Sequence, residues 1–127
     1  VAARYWTVAE ADASLDRVGG LVRQAQRLVA ELRRRAGEGA KTNGSGRGNG
    51  HQPVGAVRAA LGELVADLDA DGIVLRDIDR GLVDFSARTD DGREYLLCWL
   101  VDEPAVGWWH WPADGFAGRT SIDDLPS

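Results

Sequence analysis

The groups able to do chemistry gather in one stretch, Gly81 to Arg119, reading GLVDFSARTDDGREYLLCWLVDEPAVGWWHWPADGFAGR. It holds the only cysteine, Cys98, one of two histidines, His110, and four of five tryptophans, alongside Asp84, Glu103 and Arg119. A thiol, an imidazole and carboxylates brought together could form a nucleophile with its base, a general acid–base pair or a set of metal ligands. Asp84, Cys98, His110 and Arg119 are the candidate catalytic residues. Trp99, Glu103, Trp109, Trp111 and Phe116 are the candidate ligand-binding residues, and His110, Glu103 and Asp84 the candidate metal ligands.

Each of these has a plainer use. A carboxylate at Asp84, if buried, needs a cationic partner, and Arg119 is the candidate, so a structural ion pair would account for both. Cys98 shares a strand face with Leu96 and Leu100, where a cysteine is ordinarily a small inert hydrophobe. His110 could simply fix a turn, since no H-x-x-x-H, H-E-x-x-H or C-x-x-C spacing marks a metal site. The tryptophans could be cross-strand aromatic pairs, with Trp109 and Trp111 on one face and Trp108 and His110 on the other. Asp77 and Asp79 flank a turn whose amides they could satisfy.

Two helices and a sheet must position these groups. Thr7-Val8-Ala9-Glu10 has the spacing of a capping box. After it, Val8, Ala11, Leu15, Val18, Val22, Ala25, Val29, Leu32 and Ala36 step by three and four, predicting a helix over 7–36 interrupted only by Gly19-Gly20. Residues 37–52, GEGAKTNGSGRGNGHQ, carry six glycines and read as a flexible linker. They lack the preceding strand and lysine-serine/threonine ending of a phosphate-cradling loop, and His51 is read as a solvated loop residue. Val54, Val57, Leu61, Leu64 and Leu68 predict a second helix over 53–71, with Gly72 as its stop. From Ile73 the apolar period changes to two. Strands are predicted around 73–77, 82–88, 93–101 and 106–111, with an Asp-Gly turn at Asp91-Gly92. The expected fold is α+β, a long antiparallel helical hairpin packed on a four-stranded antiparallel meander over 73–111. A tail over 112–127 wraps the sheet edge, and the 127 residues form one domain.

Charge narrows the partners. Residues 1–40, 41–65 and 66–127 carry +2, +2 and −9, so the aromatic region is also the acidic one. A phosphate-backbone binder would place basic groups there, and nucleic acid is disfavoured. Arg33-Arg34-Arg35 is read as favourable charge near a helix C-terminus. No apolar run is long enough to span a membrane, and one cysteine suits a reducing cytoplasm.

In chain order, Tyr5-Trp6-Thr7-x-x-Glu10-Ala11, GLVDF (Gly81–Phe85), DGRE (Asp91–Glu94), LLCW (Leu96–Trp99), EP (Glu103–Pro104), WH (Trp109–His110) and GFAGR (Gly115–Arg119) resemble the domain of unknown function 2203 family. The resemblance spans nearly the whole chain. It implies a stand-alone bacterial domain with helices first and sheet after, and no assigned activity.

Two functional readings follow. One is a small non-enzymatic binding or assembly module, homodimeric through the part of the first helix that the shorter second helix cannot cover. The other is a small enzyme or metal-binding protein with its site at Asp84, Cys98, Glu103, His110 and Arg119. The sequence specifies no cofactor, and the partner is an unidentified protein or small molecule. A shared cavity at Asp84 and His110 would favour the second reading.

Overall fold

A computed structural model of the protein describes residues 4–41 and 53–127. Helix α1 runs Val8–Lys41 and α2 runs Val54–Ala70. The capping box forms as read: Glu10 N donates to Thr7 Oγ1 at 3.1 Å and Thr7 N to Glu10 Oε1 at 3.0 Å. Along the seam Ala11, Val18, Val22 and Ala25 are fully buried, and α2 contributes Val57, Leu64 and Leu68. The helix passes straight through the glycine pair, and a Cβ on Gly19 would lie 3.4 Å from the Trp99 ring. That is an ordinary contact distance, so Gly19 sits where helix and sheet pack without requiring glycine.

α1 is 34 residues long and α2 is 17, a larger mismatch than expected. Along its length α1 bonds to loops of the sheet, and by Ala36 its seam is exposed. Asp12 Oδ1 accepts from Val106 N at 2.7 Å, Arg23 pairs with Asp102 at 2.8 Å, and Gln26 donates to the Ile78 carbonyl at 3.0 Å. Arg33 pairs with Asp79 at 2.8 Å, while Arg34 and Arg35 both reach Glu31. Because α1 continues to Lys41, the three-arginine run sits inside the helix rather than at its end, and these carboxylates account for it. The first five residues of the expected 37–52 loop are helical; the rest of it, including His51, falls outside the described residues.

The sheet has five antiparallel strands in sequential order, β1 Ile73–Asp77, β2 Leu82–Arg88, β3 Glu94–Leu100, β4 Trp108–His110 and β5 Thr120–Ser121. The fifth corrects the expected four. It comes from the tail and pairs Trp109 with Thr120 and Trp108 with Ser121. Two residues carry no readable periodicity, which is why the sequence does not announce it. Ile73, Val83, Phe85, Ala87, Tyr95, Leu97, Trp99 and Trp109 share one core with the helices, joined by Trp6, whose ring meets Phe85 edge-on at 5.3 Å. β3 is buried on both faces, as its apolar alternation-free run predicts. Its second face is turned away from the helices, and on that side of the sheet Pro112 and Phe116, after β4, line a cavity together with Leu82 and Asp84 of β2.

Gly81 closes the β1–β2 turn at φ +70°, and an added Cβ would stand 2.5 Å from Val101 Cγ1. Positive φ and a clash with the Val101 side chain act together. Gly81→Ala is expected to cost about 1–3 kcal/mol, seen as a lower denaturation midpoint at unchanged slope.

Candidate functional site

Strand register builds the site. Asp84 on β2 stands directly across from Cys98 on β3, and Leu96, two residues before Cys98, stands across from His110 on β4. All three side chains point to the face away from the helices and are 1, 0 and 3 % exposed. One ligating atom from each lies within 4.8 Å of the others. Three groups that form one cluster thus come from three neighbouring strands, which fixes their separation through backbone hydrogen bonds.

The hydrogen bonds orient the cluster. Asp84 Oδ2 accepts from Arg76 Nε at 2.7 Å, leaving Oδ1 facing His110 Nε2 at 3.1 Å. His110 Nδ1 lies 2.8 Å from the Trp111 carbonyl oxygen. A carbonyl can only accept, so Nδ1 carries a hydrogen. In the neutral ring the Nε2 lone pair then points at a carboxylate oxygen. That contact is repulsive unless a cation lies between them, either a proton on Nε2 or a metal ion. Burial, and next the negative charge of Asp84, push the Cys98 thiol up to about 12. Without a cation it is therefore protonated at neutral pH and a poor nucleophile.

A cavity of about 190 Å³ opens onto this cluster, lined by Arg76, Leu82, Asp84, His110, Pro112, Gly115 and Phe116. Two of its walls are the groups whose shared cavity the sequence could not establish.

The other expected residues are placed as follows. Arg119 is not the partner of Asp84; that partner is Arg76, on the neighbouring strand. Arg119 forks onto both oxygens of Glu103 at 2.8 and 2.9 Å and stacks on Trp108 and Phe116 at 4.9 and 4.8 Å. Glu103 also accepts from Leu100 N at 2.8 Å, so it pins the end of β3 and does not join the cluster. Trp99 and Trp109 face the helices, with Trp99 Nε1 donating to the Glu103 carbonyl at 2.9 Å. Trp111 packs edge-on against Trp109 at 5.1 Å, on the same side. Of the expected ligand-binding residues only Phe116 reaches the cavity. Trp108, on the cluster's own face, is 38 % exposed. Asp77 accepts from Arg80 N at 3.2 Å, the turn role expected of it. Arg76 is the residue sequence reasoning passed over. Val74 stands opposite Asp84, and Arg76 follows it where the β1–β2 register shifts, so alternation gives no signal for it.

A family model described as "Uncharacterized conserved protein (DUF2203)" matches residues 4–122. Comparison with curated proteins and with solved structures finds no match. No helix among the described residues is long and apolar enough to cross a membrane.

Proposed function

We propose that this chain, which belongs to the DUF2203 family of uncharacterised conserved proteins, is a metal-binding protein with Asp84, Cys98 and His110 as the protein ligands. The observation that carries the reading is the pinned imidazole. Its Nδ1–H is committed to the Trp111 carbonyl, so Nε2 offers its lone pair at the junction of a carboxylate and a thiol. A metal-binding histidine commonly donates its other nitrogen to a backbone carbonyl in this way, and a ligating carboxylate is itself hydrogen-bonded, as Arg76 does for Asp84.

The donor set selects the ion. A thiolate and an imidazole exclude magnesium and calcium, which take oxygen ligands, and suit zinc. A tetrahedral zinc with bonds of about 2.0–2.3 Å separates its ligand atoms by roughly 3.3–3.6 Å. The 3.1 Å contact between Asp84 and His110 and the 4.8 Å span of the cluster bracket that spacing. Three protein ligands beside a cavity leave a fourth position for a small molecule, the pattern of an open rather than a structural site. A reducing cytoplasm suits the thiolate ligand. Self-association through α1 is not part of this reading.

A buried ion pair, with a proton in place of the metal, is the competing account, and it makes a different prediction. The purified chain should bind one equivalent of zinc, and its cobalt form should show an intense thiolate-to-cobalt charge-transfer band that is absent in Cys98→Ala. Absence of binding at micromolar zinc would leave the ion pair as the account. Arg76→Gln should weaken zinc about 10- to 100-fold without unfolding the chain, since it removes only the group orienting Asp84. Chelator competition measures that change.

A further inference from the structure

Building on the metal reading, we infer that the cavity over the cluster receives a small carboxylate with an apolar body, one carboxylate oxygen completing the coordination of the ion. Size comes first. At about 190 Å³ the cavity is smaller than the roughly 300–1,000 Å³ that houses drug-sized ligands, so the occupant is small. Its walls divide by chemistry. Asp84 and His110 lie at the floor, Leu82, Pro112 and Phe116 form apolar sides, and Arg76 lines it as the cation.

Charge then selects an anion. Arg76 contacts Asp84 through Nε, its side chain is 47 % exposed, and its terminal nitrogens have no other hydrogen-bond partner among the described residues. Arg80 lies 4.4 Å from the Phe116 ring, and no carboxylate pairs with it among the described residues. A divalent ion at the floor is neutralised by the Asp84 carboxylate and the Cys98 thiolate, so in a chain of net charge −5 these two guanidiniums are what make the cavity locally positive. Arg76 offers a fork to the carboxylate's second oxygen, and Phe116, its ring held by Arg80 and Arg119, joins Leu82 and Pro112 in offering apolar surface to its body.

Benzoate and its neutral counterpart benzamide are the probes, titrated into the cobalt-loaded full chain. Benzoate should shift the cobalt d–d bands saturably and benzamide should not. Phe116→Ala should weaken benzoate about tenfold while leaving the charge-transfer band unchanged. A cobalt band that benzoate does not perturb at millimolar concentration would overturn this inference and leave the metal reading intact. Equal responses to benzoate and benzamide, or to benzoate in Phe116→Ala and the native chain, would also overturn it. Failure of cobalt to give the charge-transfer band would overturn both.

Discussion

His110→Ala is expected to abolish tight zinc binding, raising the dissociation constant well beyond the roughly 10- to 100-fold typical of losing an outer hydrogen-bond partner. The imidazole is the one ligand contributed by β4, and its Nδ1–H is engaged by Trp111, which aims Nε2 at the other two groups. Removing it leaves a thiol and a carboxylate on adjacent strands, a pair that cannot impose tetrahedral geometry. The substitution also leaves the Trp111 carbonyl without its donor and a void 3 % exposed in the native chain, so stability must be followed in parallel. Circular dichroism and a denaturation curve establish whether the variant folds, and chelator competition then reads the metal. His110→Asn supplies the control, since its amide can donate to Trp111 while lacking the lone pair aimed at the metal. A folded His110→Asn that binds zinc as tightly as the native chain would remove His110 from the ligand set. Loss of binding in both variants would place it there.

Much of this architecture can be read from residue order, and the failures have physical causes. The switch from steps of three and four to steps of two at Ile73 marks the end of the helical hairpin, and Gly72 at φ +77° ends α2 where that switch requires. The extension of α1 to Lys41 is hidden by Gly37 and Gly39, each costing about 1 kcal/mol relative to alanine. A long helix already nucleated can carry poor formers at its end, because propagation is far less demanding than nucleation. In the cluster, Asp84, Cys98 and His110 are legible because alternation puts each on a definite strand face. Their convergence depends on register, which pairs Asp84 with Cys98 and offsets His110 by one step. The identity of Asp84's cation was not legible. Arg76 sits where the β1–β2 register shifts between Leu75 and Asp77, and an irregularity of that kind leaves no trace in hydrophobic alternation. Arg119 was the better guess from sequence only because Glu103, its actual partner, lies beyond a turn whose geometry the sequence does not state.

Zinc affinity is expected to rise about tenfold per pH unit between pH 7 and 9, the second large effect. Zinc takes the thiolate, so binding must expel the Cys98 proton. Burial first, then the adjacent Asp84 carboxylate, lift that thiol to about 12, and it therefore stays protonated in the metal-free chain across this whole range. Each unit of pH then removes a competing proton, and the apparent dissociation constant falls by about a factor of ten, or 1.4 kcal/mol. The sign for the metal-free fold is opposite. A raised thiol pKa contributes stability that is present below the unfolded value of 9.0 and is lost as pH climbs toward 12. From pH 7 to 9 the zinc form therefore gains while the empty one keeps this contribution, so the gap between their melting temperatures should widen; only above pH 9 does the empty form weaken as well. Chelator competition at each pH, paired with melting curves, measures both trends. Cys98→Ala should lose the thiol's share of the slope. A native profile that is flat with pH, or a slope equally steep in Cys98→Ala, would mean that the thiol is not a ligand, and would reduce the set to a carboxylate and an imidazole, too few to hold zinc tightly.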